Sequence, residues 1–207
     1  MPASTSSVPI LESGDHLSRA DFHRRFCARP DIHKAELIEG VVFVASPVRM
    51  IHGEPHAHII GWLYMYRAHR PGLRVGDNVT VLLDADNEVQ PDAFLWREEP
   101  GGSRFTEDDY LEGAPQLVVE IAASSASYDL HEKLRVYRRN GVREYVVWRV
   151  LDGAVDWFRL REGDYVRVEP DERGVIESDV FPGLRLHVQK LLDDDLPGVL
   201  DELSPPP

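Results

Sequence analysis

One cysteine, Cys27, stands in 207 residues. A single thiol closes no internal disulfide and builds no thiolate cluster, which excludes a disulfide-stapled secreted scaffold and a cysteine-rich zinc site. Long apolar runs are missing too, and nothing approaches the roughly 20 residues that span a bilayer. The opening Met1-Pro2-Ala3-Ser4-Thr5-Ser6-Ser7 has neither a basic start nor an apolar core, so no secretory signal is expected there. These absences predict a cytoplasmic protein with no membrane partner. Positive charge is also scarce, with 23 Lys and Arg against 36 Asp and Glu, a net charge of −13. Nucleic-acid backbones are bound through basic surface, so that deficit argues against such a partner at first sight.

The distribution of charge weakens the objection. Residues 84–112 carry ten acids and two arginines, and residues 191–207 carry five acids and no base. The rest of the chain is neutral in sum, and Lys133, Arg135, Arg138, Arg139 and Arg143 form a local basic cluster. Hydrophobic content of 43% with 29% charged residues is ordinary for a globular protein. A chain of this length fits one domain and can bury roughly 70% of its unfolded surface.

The pattern along the chain alternates helices and strands without an internal repeat. Residues 1–10 and 204–207 are expected to be disordered. Ser18 and Asp21 mark a helix start, with Phe22 and Phe26 stacked on one face and Pro30 as the stop. Glu36-Leu37-Ile38 and Val41 to Val44 flank Glu39-Gly40 as a hairpin. A loop from Pro47 to Pro55 leads to a helix carrying Ile59, Ile60 and Leu63 inward. Val79 to Leu83 and Val89 to Trp96 read as a second hairpin, its second strand bulged or at an edge because Pro91 removes a backbone donor. Residues 97–113 are expected to be an acidic loop. The run Leu117 to Ile121 predicts a strand buried on both faces. Asp129 and Glu132 resemble a capping pair for a helix with Leu130, Leu134 and Tyr137 inward, closed by Asn140-Gly141. Glu144 to Trp148 then returns parallel to the previous strand. Further strands near 154–160 and 164–168 precede Phe181-Pro182-Gly183-Leu184 and a closing helix.

Against this background two acids stand out. Asp92 lies within Val89-Gln90-Pro91-Asp92-Ala93-Phe94-Leu95-Trp96, and Glu120 within Leu117-Val118-Val119-Glu120-Ile121-Ala122. An ionised carboxylate in apolar surroundings costs several kcal/mol unless a cation or dense hydrogen bonding compensates it. Lys133 follows after a short loop, on the first turn of the next helix. Two carboxylates and a lysine suit a Mg²⁺ (or Mn²⁺) ion that neutralises a phosphate and activates water, with the Ile121 carbonyl as a further oxygen ligand. The lysine would then orient the water or offset charge developing on the phosphate.

The segments Glu36-Leu37-Ile38-Glu39-Gly40, Ser46-Pro47, Pro91-Asp92, Val119-Glu120-Ile121, Lys133, Gly141 to Trp148 and Pro182-Gly183-Leu184 carry a resemblance. Their order over roughly residues 15–192 is similar to the PD-(D/E)xK nuclease superfamily, and within it to the Uma-two-type restriction endonucleases of bacteria. The resemblance implies an α/β (α+β) fold, a restriction-endonuclease-like mixed β-sheet flanked by helices. It implies one such domain over residues 15–192, with tails at 1–14 and 193–207. It also implies Asp92 and Glu120 as metal ligands, Glu36 as a helix-side acid completing the site, and a DNA substrate. In one respect the chain departs from the superfamily, whose lysine lies two residues after the second acid, the place of Ala122 here; Lys133 matches a lysine moved to the helix. His56 is expected to face the site.

Plainer readings stand beside these. Lys133 can be a solvated residue paired with Asp129 at i,i+4, worth tenths of a kcal/mol, and Glu36 can serve as a salt-bridge partner only. His52, His58 and His69 have no zinc-like spacing with cysteines. The Arg135, Arg138 and Arg139 face either contacts phosphates or is the polar side of a helix. Trp62, Trp96, Trp148 and Trp157 read as core or interface residues, and Cys27 as buried beside Phe26. The expected activity is metal-dependent DNA hydrolysis by a homodimer whose two sites address both strands. The alternatives are a non-catalytic binding or assembly module on the same fold, and a small-phosphoester hydrolase.

Overall fold

The computed structural model of the chain describes residues 9–123 and 128–203. The Ser18 hydroxyl accepts the Asp21 N–H and starts α1 (Arg19–Cys27), where Phe22 and Phe26 stack with ring centroids 5.6 Å apart. Strands β1 (Ala35–Ile38) and β2 (Val41–Val44) form the expected hairpin. Its turn needs positive φ twice, at Glu39 (51°) and Gly40 (76°), and glycine adopts the second without strain. Then come α2 (Met50–Arg67), β3 (Leu73–Asp77), β4 (Val81–Leu82), β5 (Glu88–Val89), β6 (Ala93–Arg97), β7 (Arg104–Phe105), β8 (Leu111–Glu112) and β9 (Leu117–Ala122). A π-helical turn (Asp129–Lys133) runs into α3 (Leu134–Arg139). The chain continues through β10 (Glu144–Arg149), β11 (Ala154–Arg161), β12 (Asp164–Val168), β13 (Val175–Glu177), β14 (Arg185–His187), α4 (Val188–Leu192) and α5 (Leu196–Asp201).

The central sheet has the order β12-β11-β10-β9-β6-β3 and is mixed, because β9 and β10 run parallel through the α3 crossover while the other pairs are antiparallel. A second sheet, β2-β1-β5-β4-β8-β7, is built from short strands. Strand β9 is buried along all six residues, as its unbroken apolar run predicts. Val119 and Ile121 join a core with Ile59, Trp62 and Leu63 of α2, whereas Val118 and Ala122 join a separate core with Val136 and Tyr137 of α3. Glu120 shares the α3-side face by the two-residue alternation of a strand. No described helix is long and apolar enough to cross a membrane.

Several local expectations change. The segment expected as a loop from Pro47 is helical from Met50, with Pro55 inside α2 near its start, where few backbone hydrogen bonds are lost. Val89 to Trp96 is not one strand: the chain leaves the second sheet after Val89 and enters the central sheet at Ala93. Residues 97–113 contain the short pair β7 and β8 rather than loop alone. The helix after Asp129 opens as a π turn with no side-chain cap at Tyr128, so the predicted capping pair does not start it.

Cys27 is exposed, not buried, with its Sγ 3.5 Å from His23 Nε2. The stretch read as an acidic tail includes α5, whose Val199 is fully buried. Within the stretch read as an N-terminal tail, Leu11 is buried and Gly14 N–H donates to Val42 O. The expected disorder falls, apart from Pro9 and Ile10, outside the described residues.

Candidate functional site

Pro91 has no N–H to give a ladder, and it lies in the crossing between sheets that sets Asp92 just before β6. Ala93 pairs with Val119, so Asp92 and Glu120 stand side by side one step beyond. The Asp92 carboxylate is 3% exposed. Lys34 Nζ donates to its Oδ1 at 2.7 Å, Ile121 N–H donates to Oδ2 at 2.8 Å, and His52 Nε2 lies 3.2 Å from Oδ2. Burial alone would raise the Asp92 pKa. The His52 contact and the charges of Lys34 and Lys133 outweigh it and hold the carboxyl well below the usual carboxylate range, so it is ionised. Lys34 also donates to Asn78 Oδ1 at 2.8 Å. Burial works against its ammonium, but the charges of Asp92, Glu36 and Glu120 prevail and raise its pKa.

Glu120 presents the opposite balance. Its Oε1 accepts from Lys133 Nζ at 2.9 Å and from Tyr137 Oη at 2.8 Å. Full burial pushes its pKa up to about 8, Lys133 pulling down while Asp92, Asp129 and Glu36 push further up. Lys133 Nζ also meets Glu36 Oε2 at 2.9 Å and Asp129 Oδ1 at 3.9 Å. Burial opposes its charge, yet the surrounding carboxylates raise its pKa well above the ordinary lysine value. Tyr145 Oη donates to the Asp129 carbonyl at 3.0 Å and braces the π turn that carries Lys133. Its neighbour Glu144 accepts from Arg159, Ser178 and the Asp179 N–H, a structural role for the acid in the Gly-Val-x-Glu-Tyr segment.

Summed over the cluster, four buried carboxylates (Glu36, Asp92, Glu120 and Asp129) face two ammonium groups (Lys34 and Lys133). Fully ionised, these groups carry two more negative than positive formal charges, and the raised Glu120 pKa is the cluster's answer in the metal-free protein, a proton taken up in place of a cation. His52 Nδ1 and the Tyr128 hydroxyl are buried without a hydrogen-bond partner among the described residues. A divalent cation suits that charge and donor set. No three His, Cys, Asp or Glu side chains among the described residues converge as a ready-made cage. The donors that fit are therefore one or two carboxylates with water and phosphate oxygens, the usual way Mg²⁺ is held. A cavity of about 880 Å³ opens onto the cluster, lined by Lys34, Arg49, His52, His56 and Asn78, with Val48 and Ile51 at its walls.

Six of the residues singled out from the sequence fall in this region. Asp92, Glu120, Lys133 and Glu36 are linked through the lysines, and His56 Nε2 lies 2.8 Å from the Asp92 carbonyl oxygen and 3.2 Å from Asp77 Oδ1. Glu36 is on β1, in the expected hairpin, and its Oε1 accepts from Gln90 N–H at 2.8 Å. Lys133 is buried at 3%, so the solvated reading fails although Asp129 is near. Ile121 meets Asp92 through its N–H.

Sequence reasoning missed Lys34 outright, named His52 only for its lack of zinc-like spacing, and named Asp129 as a cap and Lys133 partner without placing it in the site. Lys34 stands two residues before Glu36, a spacing that puts both on one side of an extended chain, and that spacing was the available signal. It lies just ahead of β1, outside every segment that carried the resemblance. The basic residues of the α3 region are occupied: Arg135 pairs with Glu39, Arg138 with Asp164, Arg139 with Glu39 and Asp84, and Arg143 with Glu99. That surface is a neutralised polar face.

No protein of curated function matches the sequence. Among solved structures the chain is similar to a protein from Anabaena variabilis ATCC 29413 described as "a putative nuclease belonging to DUF820". The match has a TM-score of 0.65 and 14% identity over 82% of this chain and 96% of that one, which establishes a shared fold. A family model described as "Putative restriction endonuclease" matches residues 19–189. With its mixed sheet, its paired acids and most of its length inside that match, the chain belongs to the Uma2 family.

Proposed function

We propose that this protein is a Mg²⁺- or Mn²⁺-dependent endonuclease that hydrolyses DNA phosphodiester bonds. The observation that carries the reading is the pairing of the buried carboxylates Asp92 and Glu120, with more acids than lysines around them, behind a cavity lined by the Asp92 partners Lys34 and His52. Asp92 and Glu120 would hold the ion, with the Ile121 carbonyl as a further ligand. When bound, such an ion supplies Lewis acidity at a phosphate oxygen and a water of lowered pKa.

The chain's own groups divide the remaining work. Lys34 lines the cavity, and its ammonium is placed to hold a non-bridging oxygen of the scissile phosphate. Lys133, enclosed between Glu36 and Glu120, positions Glu120 rather than touching substrate. His52 and His56 fix Asp92 and the backbone at the cavity wall. The chain acts as one catalytic domain whose cores take in Leu11 and Val199 on either side of residues 15–192, working in the cytoplasm, and two copies would address both DNA strands.

Nicking of supercoiled plasmid with Mg²⁺ tests the reading. The wild type should cut and Asp92→Asn should not; equal activity of the two proteins would remove it.

A second reading is a non-catalytic module on the same fold. What favours it is that the Asp92 carboxylate is already saturated by Lys34, His52 and Ile121 N–H, in a chain of net charge −13. Metal-independent DNA binding without any cutting would select it.

A further inference from the structure

At the far end of the β3–β6 pair from Asp92 lies a groove of about 820 Å³ whose walls carry Arg70, Arg74, Arg97 and Arg104. Leu73 pairs with Arg97 there, and Asp77 pairs with Ala93 at the other end, beside the acid cluster. Four strand steps separate the two places, about 13 Å at the usual rise per residue. Strand β3 is the last strand of the central sheet, so its outer edge joins the two openings.

Aromatic rings set the arginines in place. The Arg74 guanidinium lies 5.0 Å from the Phe105 ring centroid, and no carboxylate pairs with it among the described residues. The Arg70 guanidinium lies 3.9 Å from the Tyr66 centroid and donates to the Tyr66 carbonyl at 2.9 Å. A guanidinium held over a ring is fixed by the ring quadrupole and keeps N–H donors for phosphate. Arg97 and Arg104 are engaged by Glu99 and Glu112, and Glu98 also lines the groove. Arg74 is therefore the principal cation of the groove, with Arg70 held beside it as a second, ring-fixed charge. The contrast between Arg74 and the neutralised arginines of α3 is the reason to look here for the polyanion.

We propose that this groove binds the phosphodiester backbone of the DNA flank, roughly four base pairs from the bond that is cut. The inference rests on the nuclease reading and extends it to a subsite outside the catalytic cluster. Phosphates at the acid cluster and at the arginine groove would be spanned by one duplex lying along the β3 edge. An acidic protein thereby gains its DNA contact from a few pre-set guanidiniums instead of a broad basic face.

The test uses the full chain in EDTA, with fluorescein-labelled duplexes of about 8 and about 20 base pairs followed by anisotropy over a range of salt. Arg74→Ala and the double variant Arg70→Ala/Arg74→Ala should bind the long duplex about 5- to 10-fold more weakly, and the salt slope should fall by roughly one per arginine. Short-duplex affinity should stay at the wild-type value, and unchanged melting curves exclude a folding defect. Wild-type affinity and slope for the long duplex in both variants would overturn the proposal. So would AMP binding that is lost in Arg74→Ala while duplex affinity is kept, since the groove would then take a small anion. Plasmid nicking by wild type against Asp92→Asn, run in parallel with Mg²⁺, reports on the nuclease reading alone.

Discussion

Lys133 Nζ sits 2.9 Å from Glu120 Oε1 and 2.9 Å from Glu36 Oε2, bridging a strand of the central sheet to a strand of the second. A lysine in that position ties two sheets together while keeping two carboxylates close to a third and a fourth. The same contacts make it inaccessible to substrate, whereas Lys34 reaches Asp92 and also faces the cavity. The two lysines therefore separate a positioning task from a contact task.

Replacing Lys133 by Met should unfold the site more than it alters chemistry. Removing one partner from a buried ion network leaves unpaired charge and costs about 3–5 kcal/mol. Urea denaturation should show an unfolding free energy lowered by that amount. A loss under about 1 kcal/mol would mean the network is more hydrated than its burial indicates.

Lys34→Ala should behave in the other way. Its stability should change by much less than that of Lys133→Met, because the Lys34 side chain keeps 23% exposure. The rate of DNA nicking should fall by about 10²–10³, the usual cost of losing one charge-stabilising donor. Full activity in Lys34→Ala would take the contact task away from it.

The pH dependence of the metal-free protein follows from Glu120. Its folded-state pKa of about 8 stands above the ordinary value of 4.5, so between those values the folded chain binds more protons than the unfolded one. Its stability contribution is full below pH 4.5 and is lost as pH rises through about 8. The depressed Asp92 titrates below this window and does not offset it. Melting temperature in EDTA should therefore fall from about pH 5 to about pH 8, and Glu120→Gln should flatten that decline. A curve of equal slope in both proteins would place the proton elsewhere.

Divalent cation should reverse the alkaline loss. At a hundredfold excess over Kd, an ion bound only to the folded state adds about 2.7 kcal/mol. Differential scanning calorimetry at about pH 8 should show a higher Tm with Mn²⁺ in the wild type and no change in Asp92→Asn.

Strands β9 to β12 of the central sheet were legible because their physics is local, whereas β3 (Leu73–Asp77), with Gly76 in a short mixed stretch, was not foreseen. Strand β9 shows no alternation of apolar and polar residues; its continuous run reads directly as burial on both faces, and Asn140-Gly141 reads directly as a helix stop. The paired acids were legible for the complementary reason, that Glu120 violates such a run. What escaped depends on tertiary contact. Pro91 signalled a disturbed ladder, but only the packing of two sheets decides that the chain changes sheet there. Lys34 and His52 acquire meaning from Asp92, a residue distant in sequence, and the mixed stretch Asp31-Ile32-His33-Lys34 carries no mark of that meeting. The π turn is likewise set by Tyr145 on β10 holding the Asp129 carbonyl, a contact no helix periodicity contains.

Calorimetric titration of Mn²⁺ into the wild type, Asp92→Asn and Glu120→Gln tests the central claim most directly, since it asks whether an ion compensates the paired acids. One ion bound per chain in the wild type, and weak or no binding in both variants, is the predicted outcome. Absence of binding in the wild type, or equal binding in all three proteins, would contradict it.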